Sequence, residues 1–184
     1  IKDLSPDDKT AREIVRRAGR AEYFAARNEF AAAMRAYSSL AADAPKFRNM
    51  QFAYGRFLLA NHQNRQAVEA FQREIENRPN HLLARLGIAG IYMTTDPAAG
   101  LPYAEQAVKL APRLAEAHYL LGMILLDTGK TARAIQELET ARSSEPDEAK
   151  IHFALSRAYA AANRPQDAAR ARAEFGRLNR QSGQ

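Results

Sequence analysis

Four histidines, His62, His81, His118 and His152, carry the side chains of this 184-residue sequence that titrate near neutral pH, and there is no cysteine. Disulfides, thiolate metal sites and thiol nucleophiles are therefore excluded, and a transition metal would have to be held by imidazole and carboxylate. His118 and His152 invite that reading because they stand at corresponding points of two successive helical patterns. Helices pack with axes about 8–10 Å apart, whereas zinc holds its ligands at about 2 Å, and no third ligand accompanies the pair. Packed histidines and no metal are expected. Gly129-Lys130-Thr131 has the ending of a phosphate-binding loop, but Ile124 stands where that loop needs glycine and Leu120–Leu126 reads as apolar helix. There is no Ser-His-Asp arrangement, no paired carboxylate cleft and no HExxH helix, so the sequence predicts a protein without enzymatic activity or cofactor.

Charge is the other chemical resource. The net charge of +6 arises from 21 Arg and 6 Lys against 21 acidic residues. Arginines cluster at Arg12, Arg16, Arg17 and Arg20, and again at Arg164, Arg170, Arg172, Arg177 and Arg180. Such clusters can be nucleic-acid footprints. Aromatics interleaved for base stacking are missing apart from Phe175, which argues against nucleic acid. Polar ends of a helical array explain the clusters more simply. The apolar content of 46% suits a folded chain. No stretch approaches the roughly 18 apolar residues of a membrane span. Ile1-Lys2-Asp3 shows no signal-peptide pattern, and a start without Met suits a mature or excised form. The expectation is a soluble chain, either cytoplasmic or exported after signal removal.

The elements that position these residues repeat. Pro45, Pro79, Pro112 and Pro146 recur at intervals of 34, 33 and 34, each before a new Ala- and Leu-rich pattern. A period near 34 in an all-helical sequence predicts stacked helix pairs. The units are 14–47, 48–81, 82–114, 115–148 and 149–182, with 1–13 as an N-terminal cap extending the first helix and 183–184 as a tail. Ser5-Pro6-Asp7-Asp8 reads as a helix start, with Ser as N-cap and Pro at the first position. Gly, Asn, Asp and Pro mark the turns, and Pro97 places the missing residue of the third unit in its turn. Two columns hold only small residues: Ala21, Gly55, Ala89, Gly122 and Ser156, then Ala33, Ala67, Gly100, Ala134 and Ala168. Three residues after the first column comes a large one: Phe24, Leu58, Tyr92, Leu125 and Tyr159. Both lie on one helix face, where the small residue makes room for a large neighbour.

This pattern resembles the tetratricopeptide repeat, from about residue 14 to 178. The best copies are Gln51–Pro79, with Tyr54-Gly55, Ala67 and Phe71, and His118–Pro146, with Leu121-Gly122 and Ala134. It departs from the family where an aromatic is usual near each unit's start, holding Arg17, Gln51, Arg85, His118 and His152 instead. The fifth unit also has Arg172 at an apolar position and no closing Pro, as a terminal cap would. The resemblance implies an all-α, right-handed superhelical solenoid of about five antiparallel helix pairs in a single domain, 14–182. It further implies that first helices line a concave groove.

Carried over to this sequence, the groove columns are Ala18, Phe52, Leu86, Tyr119 and Phe153; Glu22, Arg56, Gly90, Met123 and Arg157; and Ala25, Leu59, Met93, Leu126 and Ala160. The column opening each helix holds Val15, Asn49, Leu83, Glu116 and Lys150. The family's carboxylate clamp for chaperone tails needs Lys, Asn, Asn, Lys and Arg on three successive first helices, and only Lys150 fits, which argues against that ligand. The expected function is an interaction scaffold capturing a peptide or helix with apolar anchors and acidic flanks. Its site is Phe52, Arg56, Leu59, Leu86, Met93, Tyr119, Met123, Lys150, Phe153 and Arg157. A register shift of one would instead bury Leu83, Leu86 and Leu126. The rival readings are a self-associating or docking module of a larger protein, and nucleic-acid binding through the Arg-rich ends.

Overall fold

The structure, a computed structural model, describes residues 6–182, with side chains described for 8–181. The helix start expected at Ser5 lies outside them. Ten helices account for the described chain: α1 (Pro6–Ala26), α2 (Phe30–Asp43), α3 (Met50–Ala60), α4 (Asn64–Asn77), α5 (Leu82–Thr95), α6 (Pro97–Leu110), α7 (Ala115–Asp127), α8 (Thr131–Ser144), α9 (Ala149–Ala161) and α10 (Pro165–Ser182). No described residue is in a strand. The chain divides into two compact units that meet in sequence between Ala84 and Arg85.

The helices stop where the backbone turns left-handed. Asn28, His62, Gly129 and Asn163 have φ of 58°, 59°, 76° and 56°. After each, the next N–H reaches back to a carbonyl five residues earlier: Glu29 to Phe24, Gln63 to Leu58, Lys130 to Leu125 and Arg164 to Tyr159, at 2.8–2.9 Å. This double closure satisfies carbonyls a helix end leaves open, and Gly and Asn tolerate the left-handed conformation best. Gly129 of the apparent phosphate loop belongs to this set and is a helix stop. Between α5 and α6 only Asp96 intervenes; its carboxylate accepts from Ala99 N–H at 3.1 Å, with Pro97 at the first helical position.

Both small columns are buried throughout. A Cβ on Gly55 would lie 2.6 Å from the Phe71 ring, and one on Gly122 would lie 2.6 Å from Leu138 Cγ. A Cβ on Gly100 would lie 2.9 Å from Tyr92 Cβ. The large residue at each glycine thus comes from the other helix of the same pair. In the second unit Leu120, Leu121, Ile124 and Leu125 pack with Ala104 and Ala134, while Leu138, Ile151, Leu155 and Ala158 form the adjoining cluster. In the first unit Tyr37 stacks on Tyr54 and Phe57, with ring centroids at 6.0 and 5.0 Å, and Phe30 lies on Phe57 at 5.7 Å.

The column that departs from the family pattern is a set of latches. Arg17 bonds Asp43 at 2.6 Å and Ser39 at 3.1 Å, joining α1 to α2. Gln51 donates to the Ala41 carbonyl, and Arg85 donates to Gln106 at 2.8 Å. His118 meets Glu137 at 2.7 Å and the Pro112 carbonyl at 3.1 Å, while His152 meets the Pro146 carbonyl at 2.7 Å. These polar side chains put hydrogen bonds where the family has aromatic packing, although the buried Gln51 Oε1 is left without a partner. The repeating histidines bind backbone, and among the described residues no group of three or more His, Asp and Glu is placed to hold a metal.

Candidate protein-interaction site

In the first unit, α1 and α3 flank a cleft of about 340 Å³. Phe52 and Arg56 form its α3 wall, Glu22 its α1 wall, and Tyr37, Phe30 and Phe57 its aromatic floor. The position of α3 depends on Glu74, a carboxylate only 1% exposed. Glu74 reaches from α4 to accept the Phe52 N–H at 3.0 Å, at the positive end of α3, and pairs with Arg78 at 2.5 Å. Phe52 is clamped between Phe71 and His81, with centroids at 5.7 and 4.7 Å. Burial and a hydrogen bond to Glu22 push the Tyr37 hydroxyl far above its ordinary value, so it stays a neutral donor. Arg56 is exposed and has no ion pair among the described residues.

The second unit distributes the same positions differently. Phe153 is 48% exposed and lies against Phe175 of α10 at 5.3 Å. Lys150 bonds Glu116 at 2.7 Å and sits 5.2 Å above the Tyr119 ring. Burial works against the Lys150 charge, but Glu116 outweighs it and raises the ammonium's pKa. Arg157 pairs with Asp127 at 3.1 Å. Both cations expected to await acidic flanks therefore already hold carboxylates.

The apolar positions divide likewise. Met123 is 8% exposed and lies within the core beside Leu155 and Ala158. Met93, Tyr119 and Leu126 are half-buried and pack on that core, and the half-buried Leu86 packs on the cluster of Leu120, Leu121 and Leu125, so all four support the face as well as line it. Leu59 is half-buried, and Leu83 is 54% exposed. Sequence reasoning missed Glu74, Tyr37 and Phe175, all on second helices; only spacing across a folded pair would reveal them.

Among the described residues the fold is built of helix pairs with aromatic and cationic side chains on the first-helix faces, an arrangement that suits a protein-interaction scaffold. The sequence model of the tetratricopeptide repeat matches residues 94–140 and 121–174. Among curated proteins, anaphase-promoting complex subunit 3 of Schizosaccharomyces pombe (strain 972 / ATCC 24843) is 30% identical over 112 residues, 60% of this chain. The match spans 17% of that protein's length. MamA from Desulfovibrio magneticus RS-1 superposes with a TM-score of 0.81 at 22% identity, covering 97% of this chain and 98% of that one. YrrB, described as a TPR protein with an unusual peptide-binding site, superposes with a TM-score of 0.75 at 17% identity, covering 86% of this chain and 82% of its own. Residues 94–174 thus carry the tetratricopeptide repeat, and the helix-pair fold is shared with these solved structures. Among the described residues no helix is long and apolar enough to cross a membrane.

Proposed function

We propose that the chain captures a peptide or helix of a partner protein on its first-helix faces. The observation that carries this reading is the α1–α3 cleft, where the uncompensated Arg56 stands beside Phe52 over an aromatic floor. An apolar anchor of the ligand fills the cleft, and an acidic flank meets Arg56. Leu59 adds apolar contact in the first unit; in the second, Leu86, Met93 and Tyr119 offer apolar contact of their own, with Met123 as buried support. Phe153 supplies a second aromatic anchor. Lys150 and Arg157 contribute orientation by exchanging their surface carboxylates for those of the ligand, an exchange that costs little because exposed ion pairs are weak. The proposal takes residues 14–182 as one domain, with 1–13 extending its first helix.

The test compares the parent chain with Phe52→Asp and Phe153→Asp variants of equal helicity and melting temperature, in pull-downs from the source organism's lysate. A protein retained by the parent and lost by either variant supports capture on these faces. Equal retention by all three chains removes the binding site from them. A parent chain whose light-scattering mass doubles with concentration, and a Phe153→Asp variant that stays monomeric, would replace capture by self-association.

A further inference from the structure

On the outer face of the α1–α2 pair, Arg16, Arg20 and Tyr23 are exposed. In α3, α7 and α9, three columns are turned toward the second helix of the preceding pair: Met50, Tyr54 and Phe57; Ala117, Leu121 and Ile124; Ile151, Leu155 and Ala158. All but the half-buried Tyr54 are buried. The stacking of Tyr37 on Tyr54 and Phe57 shows α2 seated on α3 in this way, and Leu138 packed with Ile151 and Leu155 shows α8 seated on α9. At the same columns α1 has Arg16, Arg20 and Tyr23. Tyr23 is 58% exposed, with the Arg27 guanidinium 5.5 Å from its ring centre, and Arg20 lies 5.4 Å from that of the half-buried Phe24.

Beside these rings α1 and α2 enclose a shallow hollow of about 360 Å³, walled by Arg17, Arg20 and Arg35 with Phe24 at its floor. Arg17 is spoken for by Asp43, but Arg20 and Arg35 have no ion pair among the described residues. Two lining positions of this hollow, those of Ala32 and Phe24, are filled in later pairs by Arg133 and Tyr159, which show what it can receive. On α8, Arg133 takes Glu105 of α6 at 3.2 Å; on α9, the Tyr159 hydroxyl donates to Glu139 of α8. Glu105 and Glu139 occupy one column of successive second helices. The repeat geometry thus seats a helix on this face, and in these two cases a glutamate of that helix reaches the following pair.

We infer that the α1–α2 outer face docks an acidic amphipathic helix of a partner protein, stacked as α8 is on α9. Its glutamates meet Arg20 and Arg35, and its apolar stripe covers Tyr23 and Phe24. Charge decides against an end-to-end second copy, since α10 presents Arg172 and Arg180 and would bring cation to cation. Nucleic acid fits less well, because Glu13, Glu29 and Asp43 interleave the arginines and would face phosphate.

Fluorescence anisotropy tests the inference with a labelled helical peptide of about 18 residues carrying a leucine stripe flanked by glutamates. Its lysine-for-glutamate twin, a same-composition scramble and a single-stranded oligothymidine serve as comparisons. The glutamate helix is expected to bind at least about tenfold tighter than its twin and its scramble. Arg20→Glu with Arg35→Glu should shift preference to the lysine twin, while Phe153→Asp leaves binding unchanged. Equal binding of twin or scramble, tighter binding of the oligothymidine, or loss in Phe153→Asp with retention in the double charge variant would overturn it. The last result would place the peptide on the first-helix faces and leave the proposed function standing.

Discussion

The two units place cations at corresponding positions and treat them in opposite ways. In the second unit Arg157 and Lys150 are held by Asp127 and Glu116. In the first unit the counterpart of Arg157 is Arg56, and the residue corresponding to Asp127 is Ala26, which offers no charge. Elsewhere too, Arg133 is paired with Glu105, while Arg20 and Arg35, at positions of their own, have no ion pair among the described residues. A positive side chain within a repeat pattern is therefore not equivalent to an available positive charge. Sequence shows where cations recur; the neighbouring repeat decides whether they are free.

The largest expected effect tests whether both units rest on the same glycine-to-bulky contact. Phe71→Ala in the first and Leu138→Ala in the second each leave a cavity opposite a glycine, and each should cost about 3–5 kcal/mol. Thermal melting followed by circular dichroism measures the loss; a cost well below about 2 kcal/mol for one of them would show that only the other contact is rigid.

Tyr159 sharpens the contrast at the α8–α9 contact. Burial and its hydrogen bond to Glu139 push its hydroxyl up to about 12 from an ordinary 10. A raised folded-state pKa means that this stability is complete below pH 10 and is lost as pH rises toward 12. With solvent screening of the hydroxyl allowed for, the loss is on the order of 1 kcal/mol. Alkaline melting should show it in the parent chain and not in Tyr159→Phe; identical profiles would contradict it.

Ligand binding comes next. Arg56→Glu should weaken binding of a partner identified by pull-down about tenfold, and Arg157→Glu by about threefold or less, because Asp127 already screens that site. Calorimetric titration gives both values, and equal losses would erase the distinction between free and occupied cations.

The smallest effect concerns α1 and α2. The Asp43 carboxyl is lowered chiefly by its hydrogen bond from Arg17. Its contribution is present above the ordinary value of 3.8 and fades as pH falls through the lowered one. Asp43→Asn should therefore melt slightly below the parent at neutral pH and converge with it in acid.

The sequence made the helix pairs legible because close approach repeats: Gly55 and Gly122 recur where Phe71 and Leu138 demand space. It also marked the turns by residue type, at Asn28, Asn163 and Gly129, whose left-handed backbone the structure then showed. It did not reveal that Glu74 reaches the Phe52 N–H, or that Lys150 meets Glu116, since those partners stand 22 and 34 residues apart. Nor did it place Met123, whose burial follows from α9 packing beside it. Periodicity reports what every repeat must share, while a binding face depends on what particular repeats do not.

Asp96, alone between α5 and α6, shows that the joint within a pair can lose a residue while Gly100 still meets Tyr92. Each helix begins its facing anew at its own first turn, so length is absorbed at the joint and phase is reset. These joints are splice points. A reporter or a foreign loop inserted at Asn28, His62 or Asn163 should leave the flanking faces in place, whereas one extra residue inside α3 or α7 would rotate Gly55 or Gly122 away from its partner by about 100°.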